Sequence, residues 1–322
     1  MFSTQRSFSL AIIVLGALCL PVLAQQYPSK AVRIIVPTSA GTASDVVARL
    51  LGQALSQELG QPVVIDNKVG ADGAIAATET MLAPPDGHTV IFATNSTHSL
   101  VPAMRKSPPY DPIADFTPIT YVGRYTHFLL VNPQMPGATL NEFLAHARAN
   151  PGKLNYATGG AFSILSTPQL MKNAGVNMVH VPYKGDPAAL IDLVAGRVQF
   201  MFVTQTAGVP FVRDGRVRAL AVTNSKRSVL APEVPTLAEA GFPGLLHLSW
   251  AGIIGPAKLR PEVVTRLNKE ITAILARPKF QDDLVRLGFE PAGSTPDELR
   301  SMLREQLDAW TRYVKELGLQ TD

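Results

Sequence analysis

The stretch "RIIVPTSAGTASDVVARLL" (33–51) decides the fold. A short apolar strand runs into a loop of small and polar residues, and a helix opens directly behind it. Val46, Val47, Leu50 and Leu51 recur at helical spacing on one face of that helix. In the loop no bulky side chain separates a ligand from the backbone. Thr38, Ser39, Thr42 and Ser44 add hydroxyls, Ala40 and Ala43 keep the wall low, and Gly41 permits an unusual turn. Asp45 or Ser44 is placed to cap the helix. The first-turn amides and the positive end of the helix dipole then face outward, and together they make a seat for an anion.

The pattern repeats outward from this stretch. Strands are expected at 31–37, 62–67 and 89–94, with helices at 43–60 and 73–87 between them. Strand–helix–strand alternation of this kind builds right-handed βαβ units around a mostly parallel sheet. It then starts afresh, with strands at 127–133, 153–158, 177–183, 197–204 and 217–224. Helices are expected at 139–151, opening on a Thr139–Glu142 capping box, at 163–175 and at 186–196. From Pro261 onward the chain reads as mainly helical.

Two α/β halves in one chain predict two lobes with a ligand between them. In open sheets ligands gather at the carboxyl ends of strands, where helices begin. The second half offers its own small-residue loop at Thr158, Gly159, Gly160 and Ser163, and "ATNSTHS" (93–99) is a third candidate.

The beginning of the chain sets the compartment. Arg6, an apolar run from Leu10 to Leu20, and small or branched residues at Val22 and Ala24 have the layout of a secretory signal, with cleavage expected after Ala24. Cys19 follows Leu18 rather than a small residue, which argues against lipid attachment, and cleavage removes the chain's single cysteine. Thiol chemistry and disulfides are then excluded. The formal charge of +4 is scattered, without the basic runs of a nucleic-acid surface.

Competing chemistry finds little support. His98 beside Ser96 and Thr97, with Asp45 as orienter, raises a Ser/His hydrolase as a rival, but no G-x-S-x-G elbow occurs. His88, His98, His127, His146, His180 and His247 lack metal-ligand spacing, and His180 sits in an alternating strand as a sheet residue. No phosphate-loop signature is present, so neither cofactor nor metal is expected. Trp250 and Phe162 fit either the core or a cleft wall.

Longer segments resemble a known family. The run from Tyr27 to Met104, with "YDPIADFTPIT", "NPGKLNYATGG", "MVHVPYKGDPAALIDLVAGRVQFMF", "GRVRALAVTNSKRSVLAPEVPTLAEAGFPG" and "WAGIIGPA", is similar to the Bug receptors. These are the extracytoplasmic solute receptors of the tripartite tricarboxylate transporter type. The resemblance implies a type II periplasmic binding protein, a two-lobe flytrap whose hinge is two crossing segments. It implies a periplasmic, monomeric protein that performs no chemistry and takes up a small organic acid. The loaded form would meet membrane permease subunits or, alternatively, a sensor kinase domain. One lobe is expected to comprise residues 25–124 plus 249–322, and the other residues 125–248.

By the same resemblance one ligand carboxylate is held by waters and amides of the loop from Thr38 to Asp45. Thr158 to Ser163, the Ser96-Thr97-His98 turn, and Tyr183-Lys184-Gly185 border the cleft, as do Val203 and Thr204. Two departures stand out. Ser39-Ala40-Gly41 replaces a Pro-Gly-Gly-type turn, and Val203 stands where the family often has an aspartate. Valine cannot receive an ammonium group, so the expected ligand is a carboxylate other than an amino acid.

Overall fold

The computed structural model describes residues 27–318, except Lys184, Ser225 and 244–248, together with Gln320. The proposed leader at 1–24, like Lys184 and His247, lies outside the described residues.

The first half runs β1 (Val32–Val36), α1 (Ala43–Leu59), β2 (Val63–Asn67), α2 (Ala74–Met81) and β3 (Thr89–Thr94). A π-helical turn at Ser96–Leu100 leads into α3 (Val101–Met104), and the long strand β4 follows at Phe116–Tyr125. Next come β5 (His127–Val131), α4 (Leu140–Ala149), β6 (Asn155–Thr158), α5 (Ala161–Ala174), β7 (Val179–Pro182) and α6 (Asp186–Val194). The chain continues through β8 (Phe200–Thr204), α7 (Gln205–Arg213), β9 (Arg218–Val222) and β10 (Ser249–Pro256). It closes with α8 (Pro261–Leu275), α9 (Pro278–Arg286), β11 (Phe289–Pro291) and α10 (Pro296–Leu317).

Two sheets result, ordered β11-β4-β10-β3-β1-β2 and β7-β6-β8-β5-β9. Each is buried on both faces. Val32, Ile34 and Val36 pack under α1 and α8, while Ile35, Ile91 and Trp250 face α2 and α10. In the second sheet Leu129 and Phe202 pack on one side, and Phe128, Met201 and Val203 on the other. Pleating explains the split, since successive side chains of a strand point to opposite faces.

The sheets are mixed rather than mostly parallel, which corrects the expectation. Among the named strands of the described residues, parallel pairs are β1 with β2 and β3, and β6 with β7 and β8. The cause is how the chain passes between sheets. Only Thr126 separates β4 from β5, too short a link for a crossover helix, and β5 lies antiparallel to both β8 and β9. On the return, β10 lies antiparallel to β3 and β4. The strand–helix alternation of the sequence gives no sign of β4, which passes directly into β5 with no helix between them.

Thr126 is tied on several sides. Its N–H donates to the Gly288 carbonyl, and its hydroxyl sits between that carbonyl and Gln205 Oε1. The terminal helix α10 also touches both sheets' helices. Trp310 and Val314 bury against Leu100 and Leu165, and Gln169 donates to the Tyr313 hydroxyl at 2.9 Å.

Candidate functional site

A hollow of about 600 Å³ lies between the two sheets, at the ends from which their helices start. On the first-sheet side it is lined by Thr38, Gly41, Thr42, Ala43, Ser44, Thr94, Asn95, Tyr125 and Ser249. From the second-sheet side come His127, Gly159, Gly160, Phe162, Ser163, Gly185, Asp186, Pro187, Phe202, Thr204, Thr206 and Ala207.

The first loop is preorganised by hydrogen bonds that leave its outer amides open. Thr42, not Ser44 or Asp45, caps α1, its hydroxyl accepting the Asp45 N–H at 3.4 Å and donating to the Ser39 carbonyl at 2.8 Å. Gly41 has φ +82°, a conformation an L side chain rarely adopts. Its N–H donates to Asp45 Oδ2 at 2.8 Å. Asp45 lies beneath the loop, only 2% exposed, and also accepts from Arg49 Nε and Asn67 Nδ2, each at 2.9 Å. Burial alone would raise the Asp45 carboxyl, but hydrogen bonds from Arg49, Gly41 and Asn67 outweigh it and hold it below the usual carboxylate range. The N–H groups of Ala43 and Ser44 have no intrahelical partner by geometry. Both residues line the hollow, at the positive end of α1.

Asn95 adds a side-chain donor. It is buried and lines the hollow, and its Nδ2 has no partner among the described residues. A buried donor without a partner costs about 1–3 kcal/mol, so it marks where a ligand acceptor belongs.

The second loop is built differently. The Gly159 and Gly160 amides both donate to Ser163 Oγ, at 3.1 and 3.3 Å. They are spent on the loop itself. A Cβ at Gly159 would stand 2.6 Å from the Asp186 nitrogen and 2.7 Å from the Gly185 carbonyl carbon. Glycine is therefore needed there for close approach of two backbones. Phe162, at the second position of α5, stacks on His127 with ring centroids 4.0 Å apart. Burial keeps His127 neutral, its value lowered to about 3, and its Nδ1 has no partner among the described residues. Asp186, the first residue of α6, is partly buried. Burial pushes its carboxyl up to about 6, and the Thr204 amide directed at it only partly offsets this.

Comparison with known proteins agrees with this architecture. Residues 47–319 match the family model described as the tripartite tricarboxylate transporter family receptor. The chain belongs to that family. This receptor is 32% identical to Protein BugT of Bordetella pertussis over 95% of each chain. Among solved structures it resembles R. palustris Rpa4515 with adipate, at 34% identity and a TM-score of 0.80, covering 91% of this chain and 98% of that one. It also resembles MatC from Rhodopseudomonas palustris with bound malate, at 32% identity and a TM-score of 0.74, covering 89% of this chain and 100% of that one. It is a solute receptor of the periplasmic binding-protein type with a two-lobe α/β fold.

Of the residues proposed from sequence, the receptor brings Thr38, Gly41, Thr42, Ala43, Gly159, Gly160, Ser163, Gly185 and Thr204 to the hollow. Ser39 and Ala40 are exposed beside it and are not part of its lining. Several others are corrected. Asp45 braces the loop from below. Ser96 turns away to donate to the Asp72 carbonyl. Thr97 Oγ1 accepts from the Thr94 N–H, and His98 is wholly buried in a cage of Phe116, Tyr110 and Trp250. Burial lowers His98 to about 3, and its Nδ1 faces the Thr97 hydroxyl at 2.9 Å, so no serine nucleophile stands against it. The hydrolase reading loses its base.

Thr158 is held by His180, and Tyr183 donates to Asp192 at 2.6 Å, away from the hollow. Val203 faces the opposite side of β8 from Phe202 and Thr204 and packs in the core, so a residue there says nothing about what the hollow accepts. The acidic group thought missing is present one loop away, as Asp186. Trp250 is core, whereas Phe162 lines the hollow. Asn95, Asp186 and His127 are polar residues lining the hollow that sequence reasoning missed. For Asn95 the third loop was right and the residue one position off; a small-residue search had no means to find the other two.

Proposed function

We propose that this receptor captures a small organic acid between two lobes, residues 25–124 plus 249–322 and residues 125–248, and performs no chemistry on it. It is exported through its leader to the periplasm, works as a monomer, and delivers the loaded form to membrane permease subunits. The observation that carries the ligand class is the meeting of donors on one side of the hollow: the first turn of α1 together with the unpaired Asn95 amide. No lysine or arginine lines it among the described residues, so the grip on a carboxylate comes from neutral donors and helix dipoles. The adipate and malate seen in the two relatives are acids of this class.

Magnitudes show that several contacts must act together. A helix dipole contributes about 0.3–1 kcal/mol, reaching ~2 when partly buried. Micromolar binding needs about 8 kcal/mol. Charge-assisted hydrogen bonds of about 1.5–3 kcal/mol each supply the balance once water is excluded. Titration calorimetry of the ligand-stripped receptor with a panel of small organic acids is expected to give micromolar or tighter binding for at least one. Asn95→Ala should weaken that binding about tenfold, the loss of one such hydrogen bond. A flat response to every acid, together with turnover of a chromogenic ester, would sink the reading.

A further inference from the structure

The hollow is polarised. Its first-sheet side presents donors, namely the α1 amides and Asn95 Nδ2. Its second-sheet side holds Asp186, the single side chain among the described lining residues that carries a charge at neutral pH, since His127 is neutral and Tyr125 is protonated. Asp186 is not free to swing out of the way. It starts α6, its backbone is clamped against Gly159 at a separation that admits no Cβ, and the Thr204 amide is directed at its carboxyl. No cation is paired with it among the described residues, in contrast to Asp45, Asp192 and Glu290, each held by an arginine. An anion kept in a cleft without a counter-ion is costly, and such groups concentrate where a ligand completes them.

We propose that Asp186 is the specificity-determining residue of the site: its carboxylate accepts a hydrogen bond from a hydroxyl or ammonium group on the body of the ligand. This rests on the capture of an organic acid proposed above. The ligand class is then a small acid with its carboxylate on the α1 and Asn95 side and a hydrogen-bond donor on the Asp186 side. A second ionised carboxylate placed there would face a like charge and be rejected. Selection works by repulsion of the wrong acid as well as attraction of the right one. The neutral His127 ring, stacked on Phe162, forms an apolar and weakly polar wall between the two ends.

The test is calorimetry at pH 8 with unbranched acids of four, five and six carbons. Each length is offered as the plain monocarboxylate, the terminal hydroxy acid, the terminal amino acid and the dicarboxylate. The receptor should bind a hydroxy or amino acid at least about tenfold more tightly than the dicarboxylate of the same length. In Asp186→Asn the ratio should fall to within about twofold, chiefly because the dicarboxylate gains. The two donor sources separate by the size of the loss, because removing the negative charge weakens an ammonium ligand more than a hydroxyl one. Asp186→Ser, checked for folding by thermal melting, repeats the comparison if the asparagine variant folds poorly. A dicarboxylate that binds wild type best, with a ratio unmoved in both variants, overturns the assignment while leaving acid capture intact. Silence from every acid, in wild type and variants alike, overturns the capture reading and this one with it.

Discussion

The two small-residue loops look alike in sequence and do opposite work. Both follow a strand and open a helix, and both rely on a glycine. In the first, Gly41 serves its left-handed conformation, the cap is a threonine, and the buried Asp45 ties the loop from beneath, so the Ala43 and Ser44 amides are left for a ligand. In the second, Gly159 serves close approach to the start of α6, where Asp186 lines the hollow, and Ser163 absorbs the glycine amides. Loop composition specifies small size. The partner of each amide is set by what the fold packs beside it.

The sharpest way to break this comparison is Gly159→Ala against Gly160→Ala. A methyl at Gly159 meets backbone at 2.6–2.7 Å, and backbone has little room to retreat. We expect a loss of about 3 kcal/mol in urea unfolding, the upper range for overpacking, with ligand binding weakened because Asp186 shifts. At Gly160 nothing lies within 4 Å, and the change should stay within about 0.5 kcal/mol. Equal effects at the two positions would show that the close approach has been misread.

Asp45→Ala comes next, at about 2 kcal/mol, since it removes a carboxylate that accepts from Gly41, Arg49 and Asn67. Because the folded state holds this carboxyl below its ordinary value, its contribution is complete at neutral pH and fades as pH falls through the acid range. The wild-type advantage over the variant should therefore shrink toward pH 3, measured by chemical denaturation.

Asp186→Asn should have the opposite sign. The carboxyl raised to about 6 disfavours the ionised form in the fold, a penalty that is full above that pH and relieved as the pH drops toward the ordinary carboxylate value. The unliganded variant should be more stable than wild type by about 1–2 kcal/mol at pH 8, and the gap should close by about pH 4. A variant less stable at pH 8 would mean that Asp186 serves the fold rather than the ligand. Among the destabilising changes the smallest is Gly41→Ala, about 1 kcal/mol for one residue forced into the left-handed region, with a larger fractional loss of ligand affinity as the loop rearranges.

Much of the architecture was legible before any coordinates. The strand expected at 89–94 is β3, the helix expected at 43–60 ends on the left-handed Gly60, and the capping box at Thr139 and Glu142 forms as read. Hydrophobic period and capping chemistry are local, and a local pattern survives into the fold. The antiparallel strands β4 and β10 and the helix α7 were not foreseen. Nor was the choice between Val203 and Thr204, adjacent residues of β8 that pleating sends to opposite faces.

By itself the sequence determined two α/β halves, a small-residue loop ahead of a helix in each, and the resemblance to a receptor family, because these rest on periodicity, turn residues and composition. Only the tertiary structure decided which amides stay unpaired, that His98 belongs to the core, and that Asp186 and Asn95 face one another's side of a shared hollow. The reason is physical: whether a polar group is satisfied or waiting depends on neighbours brought from distant parts of the chain, and a strand's inward face is fixed by the sheet that receives it.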